Sequence, residues 1–248
     1  NIDRVKALSY YKIAADKGVP RGMFYYALML FHENGTEVNK IEALTYFERA
    51  AQKDDVPSMY YCGLIHEKGN GVAVNFYKKA ADKGYTKGMY KYALMVFQGD
   101  VDQANEEEAC HYFHMAADKG HLDSMYYYAI ILLKENKPTN FSEACRYLQK
   151  AADQGHLNSM YDYGIMLENG FGVSKNIKQA CQFFQNAADK GHCNAAFHYA
   201  TLLENGKGVS KNYQDAFRYF EIAAKQGHIE SIQAYSRLVS RSSQCLLI

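Results

Sequence analysis

No run of 18 or more apolar residues exists in this 248-residue chain, so no segment is expected to cross a membrane as a helix. An excess of charge of one sign is lacking too. Against 28 basic side chains stand 27 acidic ones, a formal net charge of +1. Proteins that bind nucleic acid leave a basic footprint, and its absence in bulk points away from that partner class. Six cysteines occur, Cys62, Cys110, Cys145, Cys181, Cys193 and Cys245, yet none forms a C-x-x-C pair. Neither a redox motif nor a zinc knuckle is indicated, and the thiols read as reduced, which implies a cytoplasmic setting. The start, Asn1-Ile2-Asp3-Arg4, is neither a signal peptide nor an initiator methionine. The chain is therefore expected to be a piece of something longer.

What is present is a period. The signature Ala-Ala-Asp-Lys-Gly begins at Ala14, Ala80, Ala116 and Ala187, with variants at Ala50, Ala151 and Ala223. The steps between these alanines are 36, 30, 36, 35, 36 and 36 residues. A fixed period of this size is the mark of a repeat architecture. Each unit carries two helical stripes. In the first, Ser124, Met125, Tyr128, Ala129 and Leu132 keep the i, i+3, i+4 spacing of a buried face. In the second, Ala43, Tyr46, Phe47 and Ala50 do the same, echoed by Ala180, Phe183, Phe184 and Ala187. Asn39, Asn105, Asn140, Asn176 and Asn212 each stand three residues before an acidic or amide residue, which predicts an N-cap for five of the second helices. Glycine after Asp-Lys suits the left-handed position that ends a helix. Gly69-Asn70-Gly71-Val72, Gly170-Phe171-Gly172-Val173 and Gly206-Lys207-Gly208-Val209 are expected to be the turns between helices.

Helix pairs this short cannot bury their faces singly, so they stack. The expected fold is all-α, a right-handed α/α superhelical solenoid of six to seven repeats. A single array over residues 1–239 is followed by a tail at 240–248. The combined pattern small-x-aromatic-x-Tyr-[Ala/Gly], Gly-x-Gly-Val-x-x-Asn and Ala-x-x-[Tyr/Phe]-Phe-x-x-Ala-Ala-Asp-Lys-Gly resembles the Sel-1-like repeat family, a relative of tetratricopeptide repeats. The resemblance covers about Asp3 to Val239. It implies an adaptor for multiprotein complexes, with no cofactor. One departure is tyrosine where leucine is usual in the first helix, at Tyr26, Tyr92, Tyr128, Tyr163, Tyr199 and Tyr235.

Two regions break the rhythm. Ser58–Asn75 matches Ser159–Asn176 position for position, after which six residues equivalent to Ile177–Gln182 are missing. Either the repeat carries a genuine deletion or six residues are absent from the sequence. Read as a deletion, it is expected to remove nearly two turns and one core alanine from a second helix and to kink the superhelix. At the N-terminus, Asp3–Gly18 reads as a second helix without its partner, and Ser231–Val239 as a closing first helix.

No catalytic constellation emerges. His121, His156, His192 and His228 share one column, so successive copies lie roughly 10 Å apart, too far to share a metal. They read as turn residues satisfying local backbone groups. Cys110-His111-x-x-His114 lacks a fourth ligand, and Cys110, Cys145 and Cys181 read as buried small residues. Ser9-Tyr10-Tyr11-Lys12 spells S-x-x-K without an S-D-N or K-T-G partner, a chance match. Cys245-Leu246-Leu247-Ile248 has the C-a-a-X form, which would permit prenylation at Cys245, although isoleucine is unusual in last place and no polybasic run precedes it.

The expected role is a protein–protein interaction scaffold, not an enzyme, that binds a partner peptide or protein on its concave face. A regulatory repeat region of a larger enzyme such as a kinase is the alternative. First helices are expected to line that face. The column that varies most along them is Tyr25, Tyr61, Lys91, Tyr127, Asp162 and His198, the expected contact set. Charge reversal at Lys91 and Asp162 is expected to weaken binding without lowering stability. The preceding column, Phe24, Tyr60, Tyr90, Tyr126, Tyr161 and Phe197, either presents ring edges to the groove or packs between adjacent first helices.

Overall fold

A computed structural model describes residues 2–32, 37–68, 70–99 and 105–245. The chain divides into two compact units, residues 1–121 and 122–248. The first holds α1 (Ile2–Asp16), α2 (Pro20–His32), α3 (Glu37–Ala51), α4 (Val56–Ile65), α5 (Asn70–Asp82), α6 (Thr86–Gln98) and α7 (Glu106–Asp118). The second holds α8 (Leu122–Lys134), α9 (Pro138–Asp153), α10 (Leu157–Asn169), α11 (Ile177–Asp189), α12 (Cys193–Asn205), α13 (Tyr213–Lys225) and α14 (Ile229–Cys245). Among the described residues there is no strand. Within each unit the helices pack in chain order, each against the next. The protein is all-α, a succession of helix-pair repeats of solenoid type. The final helix continues past Val239 to Cys245.

The signature is a helix stop followed at once by a restart. In α11 the Gly191 N–H donates to Ala188 O at 2.9 Å and the His192 N–H to Ala187 O at 3.0 Å. Gly191 is left-handed, with φ +89°. These crossed bonds satisfy carbonyls that the helix end would leave bare. The two alanines thus supply the accepting carbonyls, and their small side chains let the next helix approach. Both Ala187 and Ala188 are buried. In the second repeat Asp54 stands in the glycine column and takes φ +64°.

The expected caps hold at three sites. Asn105, Asn176 and Asn212 accept the N–H of Glu108, Gln179 and Asp215 at 3.1, 3.0 and 3.1 Å. At Asn39 and Asn140 the expectation fails. Helix α3 already starts at Glu37, and α9 starts at Pro138 behind Lys137 as its cap. Proline fixes φ near the helical value and has no N–H to leave unpaired, so it opens the helix earlier. Asn140 instead sends its amide to Glu135 Oε2 at 2.9 Å.

The short repeat is resolved differently from expectation. Helix α5 keeps 13 residues, the length of α11, and takes in Asn70, Gly71 and Val72. The six residues are lost from the connection, not from the helix, and Asn70–Val72, read as part of a turn, form a first helical turn, while Gly69 lies outside the described residues. Ala73, Tyr77 and Ala80, all 0% exposed, reproduce the spacing of Ala180, Phe184 and Ala187. The core alanine is therefore not lost but replaced. In the full-length repeats the turn glycines remain turns, with Gly170 at φ +80° and Gly172 at +66°. A Cβ on Gly172 would lie 2.2 Å from Phe141 O, so only glycine fits there.

Candidate partner-binding surface

The residues left over after the scaffold has used its own define the candidate surface. The scaffold uses much of the signature. Its aspartate accepts a tyrosine from the next repeat: Tyr46 donates to Asp16 at 3.2 Å, Tyr219 to Asp189 at 2.7 Å, and Tyr112 to Asp82. Its lysine reaches back, Lys53 to Gly18 O at 3.0 Å and Lys119 to Gly84 O at 2.6 Å. Four of the first-helix tyrosines that depart from the family pattern meet a second-helix tyrosine edge-on, whereas Tyr235 stacks on Phe217 at 4.6 Å. Ring centroids are 4.9 Å apart for Tyr26–Tyr46, 5.0 Å for Tyr92–Tyr112, 5.0 Å for Tyr128–Tyr147 and 4.9 Å for Tyr199–Tyr219. Such pairs contribute about 0.5–1.5 kcal/mol each beyond area burial. Tyr26, Tyr92 and Tyr128 also donate to Glu42, Glu108 and Glu143 at 2.9, 2.8 and 3.1 Å. The acidic residue read as half of a capping box thus serves a tyrosine hydroxyl.

The histidine column behaves as expected of turn residues. His156 Nδ1 accepts the Ser159 N–H at 3.2 Å, His192 Nδ1 the Ala195 N–H at 3.1 Å, and His228 Nδ1 the Ser231 N–H at 3.3 Å. Each ring also lies against the aromatic column of the preceding first helix. Tyr126–His156 and Tyr161–His192 centroids are 5.3 Å apart, and Phe197–His228 4.5 Å. In the first unit Tyr60–Tyr85 and Tyr90–His121 repeat the contact at 5.4 and 4.5 Å. At Phe24 an arginine takes over: Arg21 lies 5.7 Å from the ring centroid and 3.3 Å from Asp55, the local cap. This column therefore packs between adjacent first helices.

The variable column sits one position further on, and every member is engaged to a different degree. In the first unit Tyr25 is 41% exposed and stacks on Tyr11 at 5.1 Å. Tyr61 is half-buried against Phe47 at 5.1 Å, and Lys91 pairs with Glu67 at 2.7 Å. In the second unit Tyr127 packs edge-on against Tyr126 at 5.5 Å. His198 Nε2 lies 2.6 Å from Glu168 Oε2, while Lys207 holds the other oxygen at 2.6 Å. Burial raises the Asp162 carboxyl to about 6, partly offset by a hydrogen bond from Tyr126. Lys91 and Asp162 each have a partner within the fold, Glu67 and Tyr126.

Other sequence candidates resolve simply. Burial pushes the thiols of Cys62 and Cys145 up to about 12 and about 11, and those of Cys181 and Cys193 upward. Such thiols are poor nucleophiles. Cys62, Cys145, Cys181 and Cys193 are thiols rather than half-cystines. Among the described residues no group of three His, Cys, Asp or Glu is placed to hold a metal. Lys12 of the S-x-x-K match donates to Tyr46 and pairs with Asp16 at 3.3 Å, while Ser9 donates to Lys6 O. No helix among the described residues is long and apolar enough to cross a membrane. The Cys245 side chain lies outside the described residues, as do residues 246–248.

Comparison with known proteins agrees with this geometry. A protective antigen of uropathogenic Escherichia coli with an SLR fold is 22% identical at a TM-score of 0.86, over 96% of this chain and 53% of that one. This chain thus spans about half the antigen's length. A Sel1 repeat protein from Oxalobacter formigenes is 22% identical at a TM-score of 0.75, over 86% of each chain. YrrB, a TPR protein with an unusual peptide-binding site, is 19% identical at a TM-score of 0.50, over 77% of this chain and 97% of that one. No curated protein matches the sequence. The Sel1 repeat model matches seven consecutive segments, residues 2–19, 20–55, 56–85, 86–121, 122–156, 157–192 and 193–228. Their boundaries fall just after the left-handed residue that ends each second helix, Asp54 in one repeat and glycine in the others, and the chain belongs to the Sel1 repeat family.

Proposed function

We propose that the chain is a non-enzymatic interaction scaffold that binds a partner peptide or protein along its first helices. In the first unit the contact set is Tyr25, Tyr61 and Lys91, and in the second Tyr127, Asp162 and His198. Sel1 and TPR-like repeats as a class mediate protein–protein interaction. YrrB, similar to this chain in fold, is itself described as having a peptide-binding site. The observation that carries the reading is a contrast between columns. Signature alanines, aspartates, lysines and glycines recur with the same structural task in successive repeats, whereas the variable column changes residue type from repeat to repeat. A position held at constant geometry with changing chemistry suits discrimination of a ligand rather than maintenance of a stack. Tyrosine there brings a large apolar body with a polar tip at low entropic cost.

The test combines capture with a measured affinity. Partners recovered with the immobilised chain are titrated calorimetrically against wild type and against a Tyr25→Ala, Tyr127→Ala double variant. Lys178→Ala with Gln182→Ala, on the exposed face of α11, is the control. First-helix truncation is expected to weaken binding at least about tenfold, with the control unchanged. Equal affinity in wild type and the tyrosine variant, with weakening by the control, would overturn the assignment.

A further inference from the structure

In the second unit an open cavity of about 630 Å³ lies between α12 and α14. Its origin is visible one repeat earlier. There, between α10 and α12, the His198 ring sits with its centroid 4.4 Å from that of Phe184 and its Nε2 2.6 Å from Glu168 Oε2. Phe220 and Glu204 stand 36 residues after Phe184 and Glu168, in the same columns. The position of His198, however, is taken by Ala234. Phe197, Phe220, Glu204 and Ala234 all line the cavity. The space that a histidine ring fills in one repeat is therefore open in the next, with the wall and the acceptor kept. Glu204 is held instead by Arg237, which donates from Nη2 to both carboxylate oxygens at 2.7 and 2.8 Å. That arginine comes from one turn further along α14, and its side chain is half-exposed. With the guanidinium half in solvent, a donor placed deeper in the cleft can displace it.

We propose that this cleft is a recognition pocket for a histidine side chain presented by a partner peptide. The imidazole lies over Phe220 as His198 lies over Phe184. A ring N–H donates to Glu204, and Arg237 swings out to solvent. Lys211, at the mouth beside Tyr213, offers its ammonium to a carbonyl of the peptide backbone. The inference rests on reading the variable column as a partner surface, since Ala234 is the next position of that column.

The experiment follows amide chemical shifts of the full chain on titration with an end-blocked Gly-His-Gly peptide, with Gly-Ala-Gly and Gly-Lys-Gly as comparison arms. Saturable shifts confined to residues around Glu204, Phe220 and Ala234 are expected with the histidine peptide alone. Glu204→Gln is expected to weaken the effect at least about tenfold. Arg237→Ala, which frees the acceptor, is expected to strengthen it several-fold. Ala234→His supplies the missing ring internally; it is expected to abolish the response and to raise the melting temperature. No saturable response, a response shared by Gly-Ala-Gly, or full binding by Ala234→His overturns the pocket. A response led by Gly-Lys-Gly also overturns it and shows a bare cation site instead. Failure here, with the Tyr25→Ala, Tyr127→Ala variant still losing its partner, removes this pocket alone. Loss of that tyrosine effect with the peptide response intact would remove only the wider surface.

Discussion

Tyr219 donates its hydroxyl to Asp189 Oδ1 at 2.7 Å, thirty residues back, and so ties one second helix to the end of the preceding one. The same bond spans the same separation from Tyr46 to Asp16. Asp189→Ala is expected to destabilise the protein by about 1–2 kcal/mol, because a half-buried hydroxyl loses its acceptor. Tyr219→Phe removes both halves of the problem and is expected to cost about 1 kcal/mol or less. A double-mutant cycle by denaturant unfolding measures the coupling, expected near 1 kcal/mol. Zero coupling would mean that the aspartate recurs for helix termination alone.

The tyrosine-rich interior makes alkaline stability a sensitive readout. Burial, reinforced by the acidic acceptors of Tyr26, Tyr112 and Tyr219, raises their hydroxyls to about 12. Burial does the same at Tyr60 and Tyr126. An unfolded tyrosine ionises near pH 10. Between about pH 10 and 12 the unfolded chain therefore holds fewer protons than the folded one, and stability falls as pH rises. Each such group adds up to about 1.4 kcal/mol of loss per pH unit. Stability is expected to begin falling above about pH 8.5, where the unfolded thiols of Cys62 and Cys145 ionise first. It is expected to drop more steeply above about pH 10, with tyrosinate absorbance at 295 nm rising together with loss of helix. Tyrosinate appearing well before unfolding would contradict the assigned burial.

Asp54 occupies a left-handed backbone position, φ +64°, that glycine holds in the other signatures. An L-residue there costs about 1–2 kcal/mol, somewhat less for aspartate, while glycine costs about 0.4–1 kcal/mol in the unfolded chain. The ion pair that Asp54 makes with Lys83 at 2.9 Å is largely exposed and offsets little. Asp54→Gly is expected to stabilise by about 0.5 kcal/mol. The reverse substitution isolates the same effect: Gly120, φ +89°, has open space where a Cβ would go. Gly120→Ala is thus expected to cost about 1 kcal/mol through backbone strain without any clash. Thermal unfolding of the two variants, shifting in opposite directions, is the check.

Column arithmetic read the fold well because each signature element is a local device. Alanine carbonyls, a left-handed glycine and an asparagine cap act within six residues, and their spacing survives in one dimension. It failed where a competing local signal intervened. Pro138 opened α9 before Asn140 could cap it, and the shortened link in the third repeat drew Asn70–Val72 into α5. The candidate surface was legible only as a list of positions. That Lys91 is held by Glu67, that Asp162 is half-buried with a hydrogen bond from Tyr126, and that Ala234 lines a cavity depend on side chains about one repeat away in sequence. One signal was present: Glu67 and Glu168 occupy the same column, and so do Lys91 and His198, as a paired contact would require.

Histidine as a helix cap carries its own pH signature. His192 Nδ1 accepts the Ala195 N–H at 3.1 Å, while Nε2 lies 3.1 Å from Asn158 Oδ1. The first contact demands a bare Nδ1 and the second a proton on Nε2, so the fold selects one neutral tautomer. Burial, with a smaller contribution from His156, lowers the His192 pKa below its ordinary value. The sign follows from proton counting. Below about pH 6.5 the unfolded chain takes up a proton that the folded one refuses, so stability is full above that pH and declines as pH falls through the folded value. Replacing the ring with asparagine keeps a strong cap, worth about 1 kcal/mol, and removes the titration. In denaturant unfolding from pH 7.5 down to 5, His192→Asn is expected to show a shallower decline than wild type. It loses the Tyr161 stack at every pH, which lowers the whole curve without tilting it. Identical slopes would show that His192 remains protonatable in place and that Nδ1 is not the acceptor the cap requires.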